Sequence, residues 1–400
     1  MSNSLSRRAA ASFALSLSLS LLAPQSQIAA AESVAPAPPI APDAPTPTGH
    51  RPIGGRTLHL VDSGRHDPWH PQPPGPRELM VSVRYPALSA RGPKAPYASE
   101  TLSTALFGDP APARLGTHTI PDAWPAPGAR PLLLLSPGFG ASRVTLTALA
   151  EDLASRGYVV AAVDHTHETA VEFPDGRIEP CLPGASRDCP SILDTRSADL
   201  RFVLDRLTGP DTGLFVDRAR IGVAGHSIGG TSAIRTMRDD PRITAAANLD
   251  GSFHTESYSD SDSDTDAPGT GTSPGRAPAP GPELDRPVLL LGTRQLPGTE
   301  GGIDWDHAWP GFTGWKRRLN VTGAGHLSFE DKPWIIDGFG VRDHIPPDEA
   351  ALQYGTLTGV RAATITRAYV AAFFDRHLRA TPDPLLDGPS PIYPEVTFAA

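Results

Sequence analysis

This 400-residue chain has only two cysteines and no run of basic residues, and each of these shortages excludes some functions. The formal net charge is −9, and no stretch concentrates lysine and arginine, which argues against nucleic acid as the main partner. The apolar run at 9–23 is too short and too rich in serine and alanine to span a bilayer comfortably. We therefore expect a chain with no obligate nucleic-acid or protein partner, whose ligand is a small molecule or a lipid that it touches transiently.

The two cysteines, Cys181 and Cys189, lie close together in a proline-rich stretch. Their even number and short spacing favour one small disulfide loop, provided that the chain is exported, as the N-terminal pattern described next predicts. A catalytic cysteine is not expected, because no base that could favour the thiolate form stands near either thiol in the sequence.

The N-terminus has the pattern of a secretory signal. Arg7 and Arg8 precede the apolar run, and small residues at 29–31 offer a cleavage site. We predict a signal peptide at 1–31, a Pro/Ala-rich disordered segment at 32–54 and a catalytic domain at 55–400. A Ser/Asp/Gly/Pro-rich stretch at 257–282 is predicted to be a solvated insertion in that domain.

Strand and helix patterns alternate along the rest of the chain. Apolar runs predict strands, and runs with helical period predict helices. The strands are expected at 57–62, 78–86, 131–136, 158–164, 221–225, 243–250, 287–292, 318–321 and 395–398, and the helices at 144–155, 191–207, 231–238 and 358–379. This order predicts the α/β class, with a mostly parallel central sheet and helices on both faces.

The motif Gly-His-Ser-Ile-Gly-Gly at 225–230 stands between a predicted strand and a predicted helix. Gly-x-Ser-x-Gly in that setting is typical of a nucleophile elbow, a sharp turn that exposes the serine hydroxyl. Gly225 and Gly229 flank Ser227, where side chains would collide with the neighbouring strand and helix. Ser227 is therefore the candidate nucleophile, and His226 is expected to pack away from it.

A serine nucleophile needs a histidine that takes its proton and an acid that orients the histidine. Asp250 ends the strand after the elbow, and His326 follows another strand in Gly-Ala-Gly-His. This is the Ser, Asp, His order of the fold class. The rival acids Asp285, Asp304 and Asp306, and the rival bases His254 and His307, fit less well.

The oxyanion site requires two N–H donors. The amide of Ile228, at the start of the elbow helix, is one candidate, and the amide of Phe139, in Pro-Gly-Phe-Gly after a strand, is the other. The Phe139 side chain is expected to line the acyl pocket. Trp305, Trp309 and Trp315 are candidates for an apolar wall against the substrate, with core packing as the alternative.

The stretch His165-Thr166-His167-Glu168 has two histidines and an acid, which can form part of a zinc site. No third ligand follows at a telling distance. We predict no metal and no cofactor.

Several of these motifs occur together in one known family. Leu-Ser-Pro-Gly-Phe-Gly at 135–140, the strand region 152–165, the elbow, Asn-Leu-Asp-Gly at 248–251 and Gly-Ala-Gly-His at 323–326 carry the likeness. Over about 79–378, without the insertion, the chain resembles the α/β-hydrolases that include plasma-type platelet-activating-factor acetylhydrolase and secreted bacterial lipases. The resemblance implies Ser227 as nucleophile, Asp250 as orienting acid, His326 as base and the two amides as the oxyanion hole. Pro137 departs from it, since the acetylhydrolase has a histidine there.

The sequence thus predicts a secreted serine ester hydrolase, a lipase or esterase that could act on short-acyl phospholipids. The alternatives are a polyester (cutinase-like) hydrolase or a peptidase of the same fold. From a different class, a catalytically silent binding module on this scaffold is a further alternative.

Overall fold

The computed structural model describes residues 43–69, 75–182, 189–210, 212–253, 283–293 and 305–399, except the side chains of Cys189 and His307. The predicted signal peptide at 1–31 and the predicted insertion at 257–282 lie outside these residues, and so does one partner of the predicted disulfide.

The central feature is a ten-stranded sheet with the order β12-β11-β10-β9-β8-β4-β5-β2-β1-β3. Its middle strands, from β5 to β11, run parallel. The pairs β5–β2, β2–β1 and β11–β12 are antiparallel, and the edge pair β1–β3 is parallel. The strands are β1 (Ile53–His66), β2 (Pro76–Pro86), β3 (Thr119–Pro121), β4 (Arg130–Ser136), β5 (Val159–Asp164), β8 (Val216–His226), β9 (Ile243–Leu249), β10 (Val288–Thr293), β11 (Lys316–Val321) and β12 (Val396–Phe398), with a separate two-stranded pair β6 (Val171–Glu172) and β7 (Ile178–Glu179).

Helices cover both faces of the sheet. They are α1 (Glu100–Phe107), α2 (Thr147–Arg156), α3 (Cys189–Thr208), α4 (Ile228–Asp239), α5 (Trp305–Ala308), α6 (Lys332–Gly338), α7 (Pro347–Tyr354) and α8 (Gly359–Arg379). Short 3₁₀ turns lie at Ala111–Arg114, Arg143–Leu146, Trp309–Gly311, His326–Phe329, Arg342–His344 and Pro384–Leu386. No helix among the described residues combines the length and the apolar character that crossing a bilayer requires.

The apolar runs form these strands because both of their faces are covered. Leu133 and Leu135 of β4 pack with α2 and α8 on one face, whereas Leu132 and Leu134 pack with α3 and α4 on the other. Side chains of a strand alternate between faces, so a strand inside a parallel sheet is apolar at every position. The predicted α/β class is confirmed, with helices on both faces of a mostly parallel sheet.

The structure differs from the predicted disordered segment 32–54 at the end of that segment. Ala44 is buried, and Thr48 and Gly49 hydrogen-bond to Asp152 and Ser155 of α2. Prolines disfavour a helix or a sheet ladder here, but the backbone N–H groups of Thr48 and Gly49 still bind side chains of α2, so residues before β1 pack against the domain.

The register of the parallel strands places their carboxyl ends side by side. Ser136 lies opposite Gly225, His226 opposite Leu249, and Thr293 opposite Val321. Loops that leave these strands therefore emerge along one edge of the sheet, which is where ligands bind in open α/β sheets.

Candidate active site

Ser227 occupies the sharp turn between β8 and α4. Its backbone is strained, with φ 55° and ψ −130°, a region that residues other than glycine seldom adopt. A side chain on Gly225 would place Cβ 2.3 Å from the backbone of Gly229, and one on Gly229 would come 2.1 Å from the carbonyl oxygen of Ser136. The two flanking glycines are thus required by close backbone approach, as a nucleophile elbow demands.

His326 is carried by the loop that follows β11. Gly323 turns this loop with φ 80°, and Gly325 lies so close to Gly355 that a Cβ would meet its nitrogen at 2.4 Å. The loop delivers Nε2 of His326 to 3.0 Å from Oγ of Ser227. The hydroxyl donates this hydrogen bond. Nδ1 of the same ring carries the imidazole proton, because it donates to Asp250.

Asp250 follows β9, also with a positive φ of 57°. Its Oδ2 lies 2.8 Å from Nδ1 of His326, which donates because a carboxylate can only accept. Its Oδ1 accepts from the backbone N–H of Thr293 at 2.7 Å and from the Thr293 hydroxyl at 3.0 Å. Both carboxylate oxygens are occupied, so the buried acid is held in one orientation.

Two opposing effects act on the pKa of His326. Burial lowers it, but the hydrogen bond and the negative charge of Asp250 outweigh burial, and the net pKa lies above its usual value. An imidazole with that bias accepts a proton readily and is stabilised as the imidazolium by Asp250. It is therefore suited to act as a base toward Ser227.

His226 lies behind the histidine of this trio, as expected for a packing residue. Its Nε2 donates to the carbonyl oxygen of His326 at 2.8 Å. Burial, reinforced by the charge of His326, lowers the pKa of His226 to about 4. His226 is therefore a neutral ring that supports the His326 backbone and does not act as a second base.

The loop after β4 lies against the nucleophile. A Cβ on Gly138 would come 3.4 Å from Cβ of Ser227. The next residue, Phe139, is 48% exposed. Ile228 is the first residue of α4, where an amide has no acceptor one turn back within the helix. Both candidate oxyanion donors thus belong to segments that flank Ser227.

The three tryptophans do not form a wall at this edge. Trp305 is fully buried, and its indole N–H donates to the carbonyl of Gly251. Trp309 lies in the turn whose Gly311 pairs with Leu284, close to where β10 begins and away from the carboxyl ends. Trp315 packs on Phe373 and His377 of α8. All three pack against the hydrophobic core, Trp305 and Trp309 on one face of the sheet and Trp315 on the other.

The rival residues lie elsewhere or outside the described residues. Asp285 is exposed before β10 begins, and Asp306 is exposed and pairs with Arg318. Asp304, His254 and the side chain of His307 are outside the described residues. Nδ1 of His326 is bonded to Asp250, so neither Asp285 nor Asp306 fills the orienting role.

The His165–Glu168 stretch serves other contacts. His165 is buried between Oγ of Ser136 (2.9 Å) and Oδ2 of Asp199 (3.0 Å), while Glu168 pairs with Arg196. Within the described residues, no three metal-ligating side chains are gathered in one place. These side chains instead support the loop after β4.

Two site residues escaped the sequence reasoning. Thr293, the last residue of β10, holds Asp250, and Arg196, in the middle of α3, contacts the Pro-Gly-Phe-Gly loop. A signal existed for the second. Arg196 stands between Ile192 and Leu200 at four-residue spacing, so it occupies a core position of an amphipathic helix, where an arginine needs buried partners.

The chain is similar to several known proteins. The family described as PETase, PET hydrolase-like, matches residues 115–266. The solved structure of a ferulic acid esterase from Streptomyces cinnamoneus superimposes with a TM-score of 0.81 at 52% identity, covering 90% of this chain and 100% of that one.

Two curated relatives are more distant. A probable 1-alkyl-2-acetylglycerophosphocholine esterase of Arthroderma benhamiae is 30% identical over 67% of this chain and 66% of its own length. A platelet-activating factor acetylhydrolase of Cavia porcellus is 27% identical over 38% of this chain and 43% of its own. The chain thus spans about two thirds or less of the length of these relatives.

Proposed function

The chain belongs to the α/β-hydrolase esterases, and from that premise we propose that it is a serine carboxylic ester hydrolase that works through an acyl-enzyme. The observation that carries the proposal is the hydrogen-bonded line from Ser227 through His326 to Asp250, with distances of 3.0 and 2.8 Å. A serine hydroxyl becomes nucleophilic when a neutral imidazole accepts its proton.

The steps follow from this line. Oγ of Ser227 attacks the ester carbonyl while Nε2 of His326 takes the hydroxyl proton. The amides of Phe139 and Ile228 stabilise the tetrahedral oxyanion, and His326 then gives its proton to the departing alcohol. Water activated by the same imidazole hydrolyses the acyl-enzyme and restores Ser227.

For the substrate we propose an ester of an aromatic acid, of the hydroxycinnamoyl kind. The 52% identical neighbour is described as a ferulic acid esterase. Phe139 is 48% exposed and follows Gly138, on which a Cβ would come 3.4 Å from Cβ of Ser227, so an aromatic residue lies in the loop beside the nucleophile. Pro137, where the resembled acetylhydrolase has a histidine, also argues against a site restricted to acetyl groups.

A second candidate substrate is an acetylated alkyl phospholipid, favoured by the 30% identical relative from Arthroderma benhamiae. The two can be separated by measuring kcat/KM for methyl ferulate, for 1-alkyl-2-acetylglycerophosphocholine and for bis(hydroxyethyl) terephthalate. We expect methyl ferulate to be preferred and Ser227→Ala to abolish all three activities. Preference for the acetyl phospholipid would overturn the aromatic assignment, and full activity of Ser227→Ala would overturn the esterase mechanism.

We further propose that the chain is exported, with cleavage near Ala31 and a disulfide between Cys181 and Cys189. The charged start and apolar run of the sequence support export. N-terminal sequencing of protein from the culture medium, and peptide mapping with and without reductant, test the two proposals. An intact start at Met1, or thiols that alkylate without reductant, would contradict them.

A further inference from the structure

A buried arginine touches the loop that carries Phe139. Arg196 lies in the middle of α3 with only 1% of its surface exposed. Taking a guanidinium out of water is costly unless its donors are paired. The groups that pair with the Arg196 guanidinium therefore show which part of the structure it stabilises.

Four of those partners are within reach of one guanidinium. Nε donates to Oε2 of Glu168 at 2.8 Å. Nη1 donates to the carbonyl of Pro137 at 2.5 Å and lies 3.3 Å from Oγ of Ser136, and Nη2 donates to the carbonyl of Gly138 at 3.4 Å. One rigid fork thus binds three consecutive residues at the end of β4.

The carbonyl of Gly138 belongs to the same peptide group as the N–H of Phe139. In a planar trans peptide the C=O and the N–H point in opposite directions. The Gly138 carbonyl accepts from Nη2 of Arg196 at 3.4 Å and from the N–H of Ala141 at 3.2 Å, so both contacts set the peptide plane and the Phe139 N–H points away from the guanidinium. A cation at the carbonyl also polarises the peptide group, so that its N–H becomes a stronger donor.

Glu168 reinforces the same arrangement from its other end. Its side chain, 1% exposed, pairs with Arg196, and its backbone carbonyl accepts from the N–H of Gly140 at 3.0 Å. The loop is therefore fixed on both sides of Phe139, by Arg196 before it and by the Glu168 backbone after it.

We propose that Arg196 is a positioning residue of the oxyanion hole: it aims and polarises the Phe139 amide without touching the substrate. This role rests on the proposed ester hydrolysis. An oxyanion donor contributes most when it is aligned before the charge develops, and a loop with two glycines cannot keep that alignment unaided.

The first readout needs no turnover. Labelling the full chain with ¹³C-carbonyl glycine and ¹⁵N phenylalanine selects the amides of Phe139, Phe312 and Phe339, which are the three that follow a glycine. In Arg196→Lys we expect the Phe139 amide proton to shift upfield, because a lysine cannot span the three acceptors, while the other two stay in place. An unmoved Phe139 resonance would overturn the proposal.

The second readout is the kinetic split. We expect Arg196→Lys to lower kcat for a soluble ester about 10- to 100-fold with little change in KM, less than the loss of a whole donor. Arg196→Met should lower kcat further. If Arg196→Met does not fold, the lysine variant alone decides, and a kcat within twofold of wild type would overturn the proposal.

Arg367 provides the matched control. It is only 5% exposed and donates to three other carbonyls, those of Pro45 and Thr46 at 3.0 Å each and that of Ala363 at 3.2 Å. Arg367→Lys should lower the melting temperature with kcat unchanged, and an equal loss of kcat there would reduce Arg196 to a general structural role. Wild-type turnover in Ser227→Ala would refute the esterase mechanism separately, since the Phe139 resonance reports on the amide in either case.

Discussion

Replacing Asp250 by asparagine should nearly abolish turnover while leaving the fold intact. The carboxylate makes two kinds of contact that differ in what they tolerate. Oδ1 receives two donors from Thr293, the backbone N–H and the hydroxyl, and Oδ2 receives Nδ1–H of His326. An asparagine has only one oxygen with which to replace both.

That oxygen has to face Thr293, because the backbone N–H there cannot turn into an acceptor. The asparagine NH₂ group then faces Nδ1 of His326 and requires it to accept. The imidazole proton moves to Nε2, which can no longer take the proton of Ser227. The substitution therefore holds the base in the wrong tautomer and leaves its position unchanged.

We expect kcat to fall by about 10³- to 10⁴-fold, the size of effect seen when an orienting aspartate is replaced in a serine triad. This corresponds to about 4–5 kcal/mol of transition-state stabilisation. KM should change little, because the carboxylate is 1% exposed and does not meet the substrate.

The assay is steady-state hydrolysis of a chromogenic ester by wild type and Asp250→Asn, with the melting temperature of each as a check of folding. Asp306→Asn, at an exposed rival acid, is the matched control and should behave as wild type. A folded Asp250→Asn with kcat within tenfold of wild type would refute the orienting role.

Gly229→Ala should unfold or strongly destabilise the chain, since its Cβ would lie 2.1 Å from the carbonyl oxygen of Ser136. At Gly140 a Cβ would meet open space, so Gly140→Ala should lower the free energy of unfolding by only about 1 kcal/mol, because alanine disfavours a φ of 70°. Urea unfolding compares the two variants, and equal losses of unfolding free energy would contradict this prediction. The acid limb of kcat/KM should have its midpoint above about 6.5, because the pKa of His326 is raised and only the neutral ring accepts a proton; a midpoint well below that value would contradict it. Burial raises the pKa of Asp331 to about 7, so the folded chain holds a proton that the unfolded chain releases. Its contribution to stability is thus complete below about pH 4 and lost as pH rises through about 7, by about 4 kcal/mol. Asp331→Asn should remove that loss, and a wild-type slope of unfolding free energy against pH in this variant would contradict the prediction.

The sequence predicted the strands well where burial is two-sided. The continuous apolar run at 131–136 corresponds to β4, and the mostly apolar run at 243–250 to β9, because strands inside a parallel sheet are covered on both faces and favour apolar residues. The elbow could also be predicted from the sequence, because any side chain at Gly225 or Gly229 would clash with the backbone.

Aromatic residues were harder to place. Trp305 and Trp315 both precede the loop that carries His326, but they lie on opposite faces of the sheet, one fully buried and the other against α8. Composition shows that a segment is apolar, but which face it covers depends on the path of the chain between β10 and β11. Local pattern carries no information about that path.

Long-range polar contacts were likewise out of reach. Arg196 reaches the loop at 136–138 from 58 to 60 residues away, and Thr293 reaches Asp250 across 43. Pairings of this kind depend on sheet order, which places β4 beside β8 and β9 beside β10. The sequence analysis did not single out Arg196; its helical spacing is consistent with the burial that the structure shows, but only the fold shows which groups it contacts.

The central claim is that Ser227 is a nucleophile activated by His326. Its most direct test is to treat the purified protein with a fluorophosphonate and to locate the adduct by peptide mass spectrometry. We predict a single adduct on Ser227, absent from Ser227→Ala and formed far more slowly in His326→Ala. A protein that remains unlabelled, or one labelled equally fast without the imidazole, would contradict the claim.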